Sequence, residues 1–201
     1  MYSRPIQNLI RILSKLPSVG PRTAERFVFH MLKSGKKEVG DLSLALQELM
    51  RNMKSCSVCY DFSDQNPCLL CNNTKRDHTI IAVVAESQDV QAIEKTSIYT
   101  GVYHVLRGTL RADREDENNG IKMAELFKRL QSSPEVKEII LALNPNMEGE
   151  TTMLFLERAV KKNFPHITIS RLARGLPTGS ELQYADEITL ENALNSRIVL
   201  K

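Results

Sequence analysis

The four cysteines of the chain, Cys56, Cys59, Cys68 and Cys71, form two C-x2-C pairs separated by eight residues. Each pair brings two thiolates to one point, and four soft ligands in a tetrahedron are the set that structural zinc prefers. Since all four positions would be filled by protein, no place would remain for water or a substrate. The spacing therefore predicts one structural zinc per chain, whose binding contributes to folding. Free thiols or a redox pair are the alternative, because a single C-x2-C pair is redox-active in some proteins.

A second group of candidate residues lies in the turn Leu-Pro-Ser-Val-Gly-Pro-Arg, which begins at Leu16 and separates two stretches of helical apolar period. Such a turn directs the backbone N–H groups of a helix N-terminus toward a phosphate, and Gly20 would let the backbone approach closely. Arg22 and Arg26 are four residues apart on one face of the second helix and would add contacts that do not depend on base sequence. A plain helical hairpin with solvated arginines is the alternative.

The third candidate is the run from Ala142 to Glu150, Ala-Leu-Asn-Pro-Asn-Met-Glu-Gly-Glu, where a buried strand ends and a helix begins. Polar side chains at the carboxyl edge of a parallel sheet occupy the usual place for a functional site. The same residues also fit a tight strand-to-helix turn in which Pro145 and Gly149 have only a structural role. The pattern alone does not decide between these two interpretations.

The distribution of charge favours a nucleic-acid partner for the N-terminal part. The 201-residue chain has a net charge of only +3. Residues 1–54, however, carry ten Lys or Arg against four Asp or Glu, whereas residues 79–201 carry fifteen against seventeen. The basic excess is therefore concentrated at the N-terminus, where the hairpin lies.

Several classes of protein are excluded by the composition. No apolar run approaches the roughly 18 residues that a transmembrane helix needs. The first residues, Met-Tyr-Ser-Arg-Pro, lead into an amphipathic segment instead of the apolar block of a signal peptide, so we expect a cytoplasmic protein. The clustering of all cysteines within sixteen residues argues against the disulfide framework of a secreted domain.

The apolar periodicity indicates the elements that position these residues. The N-terminal unit is predicted to be all-helical, with helices ending near Leu16, over 22–33 and over 42–53, and the cysteine segment 55–77 is predicted to be rich in loops. Strands are then predicted at 79–85, 102–106, 138–143 and 167–169, and helices at 88–96, 121–132 and 150–163. This alternation is typical of an α/β fold with a mainly parallel sheet flanked by helices.

Taken in order along the chain, these features resemble the RecR family of bacterial recombination mediators. The resemblance rests on the Leu16–Arg22 turn, the cysteine cluster, Ile81–Val84 leading to Asp89-Val90, the run Asn144–Glu150, the run Ser170–Gly179 and Glu181–Asp186. It spans nearly the whole chain in unbroken order. Its specificity comes from the combination, because a hairpin or a zinc knuckle alone occurs in many proteins.

The resemblance implies four parts. These are a helix-hairpin-helix DNA-binding unit at 1–54, a four-cysteine zinc finger at 55–77, a Toprim domain at 78–172 and a C-terminal segment at 173–201. In this family the C-terminal segment assembles the subunits into a ring-like homotetramer that encircles DNA. The homo-oligomer is thus an expectation that follows from the resemblance.

The resemblance also implies a function and a set of residues. Members of the family have no turnover of their own and act with RecO, and in many bacteria with RecF, to help RecA replace single-strand-binding protein at gaps. By position, Gly20, Arg22 and Arg26 match the hairpin that contacts DNA, and the four cysteines match the zinc ligands. Asp89, next to Glu86, matches an acidic Toprim position linked to partner binding.

The chain departs from catalytic Toprim enzymes at the positions that matter for chemistry. Those enzymes carry Asp-Pro-Asp-Arg-Glu-Gly-Glu, in which two aspartates hold Mg²⁺, whereas this chain has Asn144 and Asn146. A neutral amide lacks the charge that attracts a hard cation. The acid of the first strand is also displaced, because Ala85 stands where many relatives have Glu. Strand alternation would direct the next residue, Glu86, away from the pocket.

Two further departures lie at the rim of the predicted Toprim domain. Arg174 stands where histidine is frequent in relatives, and the charged stretch 111–119, predicted to be an exposed loop, lacks the usual Gly and Pro pattern.

Two other classes of function are alternatives to a binding and assembly factor. The main rival is a Mg-dependent Toprim nuclease or primase-like enzyme that uses Glu86, Asp89 and Glu148. The loss of both aspartates argues against it. A zinc-dependent transcription factor would need base-reading side chains on an element shaped for the major groove, and none stands out. The sequence therefore predicts a DNA-binding protein that is not an enzyme.

Overall fold

The structure, a computed structural model, describes residues 2–111 and 120–198. Most of the charged stretch predicted at 111–119, and the last three residues of the C-terminal segment, lie outside the described residues. The chain divides into two compact units, Met1–Met53 and Lys54–Lys201.

The first unit is all-helical, as predicted. Its helices are α1 (Arg4–Leu13), α2 (Pro21–Ser34) and α3 (Lys36–Asn52). Helix α1 ends before the predicted Leu16, because the chain tightens there: the N–H groups of Lys15 and Leu16 donate to carbonyl groups three residues earlier instead of four. A proline begins each of the first two helices, at positions where a backbone N–H has no helical partner.

The core of the first unit is small. Only Ala24 and Val28, on α2, are buried in its three helices. Helix α3, by contrast, exposes a series of large apolar side chains: Val39, Leu42, Leu44, Leu46, Leu49 and Met50. For a unit of 53 residues this is a large apolar surface in contact with water.

The second unit begins with the cysteine segment. This segment contains β1 (Lys54–Ser55), β2 (Phe62–Ser63) and the single turn α4 (Leu69–Asn72). The two strands pair antiparallel, so the segment predicted as loop forms a small hairpin followed by one helical turn. These elements are too short for apolar periodicity to indicate them.

A four-stranded parallel sheet forms the centre of the second unit. Its strands are β3 (Asp77–Val84), β4 (Gly101–Val105), β5 (Glu138–Leu141) and β6 (Thr168–Arg171), in the order β4-β3-β5-β6. Every pair is parallel, and Ala82 on the central strand β3 is in register with Tyr103 on one side and Ile140 on the other. The mainly parallel sheet predicted from the sequence is therefore confirmed.

Helices cover both faces of this sheet. They are α5 (Ser87–Glu94), α6 (Met123–Ser132) and α7 (Met147–Asn163), followed by a 3₁₀ turn (Leu182–Tyr184) and α8 (Glu187–Asn195). Ile81 and Val83 of β3 pack with α6 and α7, whereas Ala82 and Val84 pack with α5. This alternation is the period of two that a strand buried on both faces requires. In the described part of the chain, no helix is both long and apolar enough to span a bilayer.

The outer edge of β4 is occupied by side chains. The Arg76 guanidinium donates to the carbonyl of Gly101 at 2.7 Å, and the Arg129 guanidinium donates to the carbonyl of Tyr103 at 2.6 Å. Arg76 also forms an ion pair with Glu94. Two outward-facing carbonyl groups of an edge strand thus have partners although no strand lies beside them.

The cysteine segment is attached to the same edge. The backbone N–H of Val105, at the end of β4, donates to the carbonyl of Cys59 at 2.8 Å. Leu70 of α4 packs both against the cysteine side chains and against the core on the α5 face of the sheet. Arg107 donates to the carbonyl of Tyr60 at 2.8 Å. The cysteine segment and the sheet are therefore joined by a backbone hydrogen bond, a hydrogen bond from an arginine side chain and apolar contacts.

Candidate functional site

The four cysteines lie together. Cys68 is the N-cap of α4 and Cys71 lies within that turn, while Cys56 and Cys59 flank the tight turn after β1. All four sulfur atoms lie within 4.8 Å of one another, and the Sγ atoms of Cys59 and Cys68 are 3.5 Å apart. Cys56, Cys59 and Cys68 are buried, and Cys71 is half-buried. The structure thus brings the whole predicted ligand set to one point.

Backbone N–H groups point at these sulfur atoms. Val58 and Cys68 donate to the Sγ atom of Cys56 at 3.5 and 3.4 Å, and Cys71 donates to the Sγ atom of Cys68 at 3.5 Å. A donor directed at sulfur favours the thiolate over the thiol. The local backbone is therefore arranged for negatively charged sulfur.

The thiols are not electrostatically equivalent. Hydrogen bonds from Cys59 and then from Cys71 stabilise the thiolate of Cys68 and lower its pKa. The pKa of Cys59 is raised, first by its hydrogen bond to Cys68, then by its hydrogen bond to Cys71 and by burial. One thiolate is thus favoured at the expense of its neighbour, and a divalent cation would supply the charge that lets all four ionise.

These donors fit a single thiophilic ion. Four sulfur atoms bound tetrahedrally at about 2.3 Å from zinc lie about 3.8 Å apart, close to the spacing found here. Among the described residues, no other group of three or more His, Cys, Asp or Glu side chains is placed to hold a metal. When bound, such an ion cross-links the two C-x2-C turns. The cluster can hold one metal ion.

The hairpin of the first unit presents its arginines to solvent. Arg22 and Arg26 are both exposed on α2, on the side opposite the buried Ala24 and Val28. No side chain caps this helix, and the backbone N–H groups of Arg22 and Thr23 have no acceptor among the described residues. Such a helix N-terminus attracts anions.

Gly20 is the N-cap of α2, but its conformation does not require glycine. Its φ is −79°, which any residue adopts, and the left-handed residue of the turn is Ser18 with φ of +62°. A Cβ atom on Gly20 would meet nothing within 4 Å. The glycine therefore leaves the space next to the backbone open. A phosphate needs such space to approach the backbone closely.

Glu86 and Asp89 are brought together at the start of α5, where they form a capping box. The carboxylate of Asp89 accepts the backbone N–H of Glu86 at 2.9 Å, and the Glu86 carboxylate accepts the backbone N–H of Asp89. Both acids therefore satisfy helix N–H groups. Asp89 lines a cavity of about 290 Å³ at the carboxyl edge of the sheet, whereas Glu86 is exposed and does not line it.

The turn after β5 is also a helix cap. The side-chain oxygen of Asn146 accepts the backbone N–H of Gly149 at 2.8 Å, and this contact begins α7 at Met147, three residues before the predicted start. A Cβ atom on Gly149 would lie 2.0 Å from the carbonyl oxygen of Asn144. The tight turn accounts for Asn146 and Gly149, while Asn144 lines the cavity with Asp89.

Arginines neutralise the acids of this turn. Arg174 forms an ion pair with Glu150, and Arg111 lies 3.4 Å from a carboxylate oxygen of Glu148. Arg174 also lines the cavity, together with Arg171. In the positions where a catalytic Toprim site concentrates negative charge for a cation, this edge of the sheet pairs its acids with guanidinium groups.

Comparison with known proteins agrees with this architecture. Family models match the chain in three places: "RecR, helix-hairpin-helix" at residues 6–50, "Toprim domain" at 79–173 and "RecR, C-terminal" at 175–198. The curated Recombination protein RecR of Moorella thermoacetica is 42% identical to the chain over 196 residues, 98% of this chain and 97% of that protein. The chain belongs to the RecR family.

In this RecR-family chain, the residues predicted from the sequence form three groups. The four cysteines converge on one point, Glu86 and Asp89 share a cap, and Arg22 and Arg26 share an exposed helix face. The cysteines and the acidic pair belong to the second unit, and the arginines belong to the first.

Some contacts of this RecR-family chain could not be predicted from the sequence. The ion pair of Arg174 with Glu150 and the bonds of Arg76 and Arg129 to β4 join residues that are at least 24 positions apart. No periodicity or short motif specifies such partners. The one signal in the sequence is the arginine at 174, which departs from the family pattern but does not indicate Glu150 as its partner.

Proposed function

We propose that this protein is a DNA-binding recombination mediator without catalytic activity. It would act in the cytoplasm, at the nucleoid, with RecO and, where present, RecF, to help load RecA at single-stranded gaps. The observation that supports this proposal most strongly is 42% identity to a curated RecR over 98% of the chain. Glu86 and Asp89 are the proposed contact for a protein partner, because one is exposed and the other lines the cavity beside it.

The hairpin is the proposed DNA contact. Support comes from the exposure of Arg22 and Arg26, from the uncapped N-terminus of α2 and from the open space at Gly20. These features suit phosphate binding, which is independent of base sequence. The basic excess of residues 1–54 acts in the same direction.

The ion proposed for the cysteine cluster is zinc, one per chain, with a structural role. Four thiolates leave no open coordination position, so the ion would have no place for a substrate. The segment is polar and has few apolar side chains of its own, so its fold would depend on the metal. For the chain as a whole, we propose that its four parts meet near residues 54, 77 and 172.

A homo-oligomer, a ring-like tetramer, is the proposed assembly. Its support is apolar surface that the single chain leaves in water. Helix α3 exposes Leu42 and Met50, the latter to 82%, and the C-terminal segment exposes Tyr184, Ile188 and Leu194. Burial of both surfaces against further copies would remove them from water.

The proposed function is tested by RecA activity on DNA covered by single-strand-binding protein. We expect this protein, added with RecO, to shorten the lag before RecA hydrolyses ATP, and to do so without hydrolysing ATP itself. The matched control is the Arg22→Ala, Arg26→Ala variant, which should not shorten the lag. An unchanged lag with the wild-type protein and its own RecO would refute the mediator role.

The rival enzyme is tested by incubation with supercoiled plasmid. With Asn144 and Asn146 in place of acids, and with Glu148 and Glu150 paired to arginines, we expect neither nicking nor relaxation in Mg²⁺ or Mn²⁺. The readout is the fraction of supercoiled plasmid on a gel. Cleavage that follows the pure protein and disappears in Glu148→Ala would show that the site is an enzyme.

A further inference from the structure

The outer face of α7 carries an apolar groove that the proposed function does not use. Leu154 and Phe155 are 51% and 47% exposed, and neither belongs to the hydrophobic cores of the second unit. The groove is open to solvent and has a volume of about 560 Å³, and its lining residues include Leu110, Leu154, Phe155, Arg158, Ala159 and Lys162. An aromatic and a leucine side chain are thus presented side by side to water.

Helix geometry fixes which side chains share this face. Phe155, Arg158 and Lys162 are three, four and seven positions apart, so they form one stripe along the helix. Leu156 and Val160 lie on the opposite, buried side. The stripe therefore lies on the side of α7 that faces away from Leu156 and Val160. The exposed apolar groups are therefore a surface feature of α7.

The rim of the groove carries positive charge from Arg158 and Lys162. Lys161 pairs with Glu157 at 2.5 Å. Arg158 and Lys162, which line the groove, form no salt bridge with any residue in 2–111 or 120–198. An occupant that brings acids to this rim would gain charge pairing, and one that brings lysines would be repelled.

We propose that this groove binds an acidic, amphipathic peptide segment of a partner protein. Its apolar side chains would rest on Leu154 and Phe155, and its carboxylates would pair with Arg158 and Lys162. This is the helix-in-groove mode of recognition, with an aromatic anchor at the centre and charges at the rim. Single-stranded DNA fits less well, because it needs successive aromatic platforms and the other apolar lining side chains are aliphatic.

The test measures binding of a fluorescein-labelled synthetic peptide to the full-length, zinc-loaded protein. The peptide has about 16 residues, with Leu or Phe at every third or fourth position and Glu between them. We expect Phe155→Ala and Arg158→Glu each to weaken binding about tenfold or more. The same peptide with Lys in place of Glu should bind at least about tenfold more weakly than the acidic one.

Lys95→Glu provides the matched control. This lysine is exposed at the end of α5, on the other face of the sheet, and its replacement changes the net charge as Arg158→Glu does. We expect this control to weaken binding less than about twofold, which is the cost of long-range charge alone. Equal affinity of Phe155→Ala and the wild type, or equal loss in the two charge variants, would overturn the proposal.

Other occupants give distinct outcomes, each of which would also overturn it. Competition by an oligothymidine that disappears in Phe155→Ala would show a nucleic-acid surface. A lower native mass of Phe155→Asp, with unchanged thermal unfolding, would show that a second copy covers the groove. The chain has acids from Asp113 to Glu117, outside the described residues. Tighter peptide binding after their replacement by amides would show that this stretch is the occupant.

Discussion

Cys59→Ser is expected to abolish zinc binding and to unfold the cysteine segment. The wild-type protein should contain one zinc per chain, because the four sulfur atoms lie within 4.8 Å of one another. Structural zinc in zinc-finger peptides contributes on the order of 10 kcal/mol of apparent binding free energy. Loss of the metal should therefore destabilise the fold more than most core substitutions do. Since the carbonyl of Cys59 also accepts the N–H of Val105, the disturbance should extend to β4.

Metal content by elemental analysis and thermal unfolding are the two measurements. Zinc should fall from one per chain to a small fraction, and the melting temperature should fall by about 10 °C or more, equivalent to a loss of about 4 kcal/mol. Ser57→Ala is the matched control, since this exposed serine lies in the same turn but is not a ligand. Disulfides in stoichiometric amount, without zinc, in freshly purified reduced protein would contradict the prediction.

Arg22→Ala combined with Arg26→Ala should weaken DNA binding strongly at every sequence tested. Each arginine that neutralises a phosphate releases about 0.9 counterion, so the slope of log affinity against log salt should fall by roughly two units per hairpin that contacts DNA. In an oligomer every subunit carries the same change, so the loss should exceed that of one exposed arginine pair. Affinity at physiological salt should decrease about tenfold or more.

Lys36→Ala with Lys37→Ala is the control for this experiment. Both lysines are exposed at the start of α3, and their removal changes the net charge of the same unit by the same amount. Fluorescence anisotropy over a range of salt concentrations gives the slope for each variant. If the arginine variant and the lysine variant have the same DNA affinity and the same salt slope, the net charge of the unit explains binding. The hairpin would then have only a structural role.

Most of the fold could be predicted because its signals are local or periodic. The grouping of the four cysteines is predicted by their spacing alone, and each strand of the sheet is predicted by a short run of apolar, often β-branched residues. The apolar period predicts the start of α7 three residues too late, because the side-chain cap at Asn146 precedes the first periodic apolar residue. In the same way α1 was extended to Leu16, since a tightened final turn preserves the apolar spacing.

The sequence predicts which residues belong to the candidate site better than it predicts the contacts that they make. Asn144 and Asn146 were seen to lack charge, but the capping contact of Asn146 with Gly149 depends on backbone geometry that the sequence does not reveal. The reciprocal cap of Glu86 and Asp89 departs from the usual Ser/Thr-x-x-Glu signature, so it was not anticipated. Contacts between distant positions, such as Arg174 with Glu150, require the fold itself.

The hydrogen bonds that occupy the outer edge of β4 have a consequence for solubility. An unpaired strand edge recruits strands from other molecules and is a common start of aggregation. Here guanidinium groups of Arg76 and Arg129 and the carbonyl of Cys59 occupy that edge. Two of these three groups, Arg76 and the carbonyl of Cys59, belong to the segment 55–77, whose fold we propose to depend on zinc, and only Arg129 lies outside it. Loss of zinc should therefore leave some backbone groups of the β4 edge without hydrogen-bond partners. We expect the metal-free protein to form β-rich aggregates before its sheet unfolds.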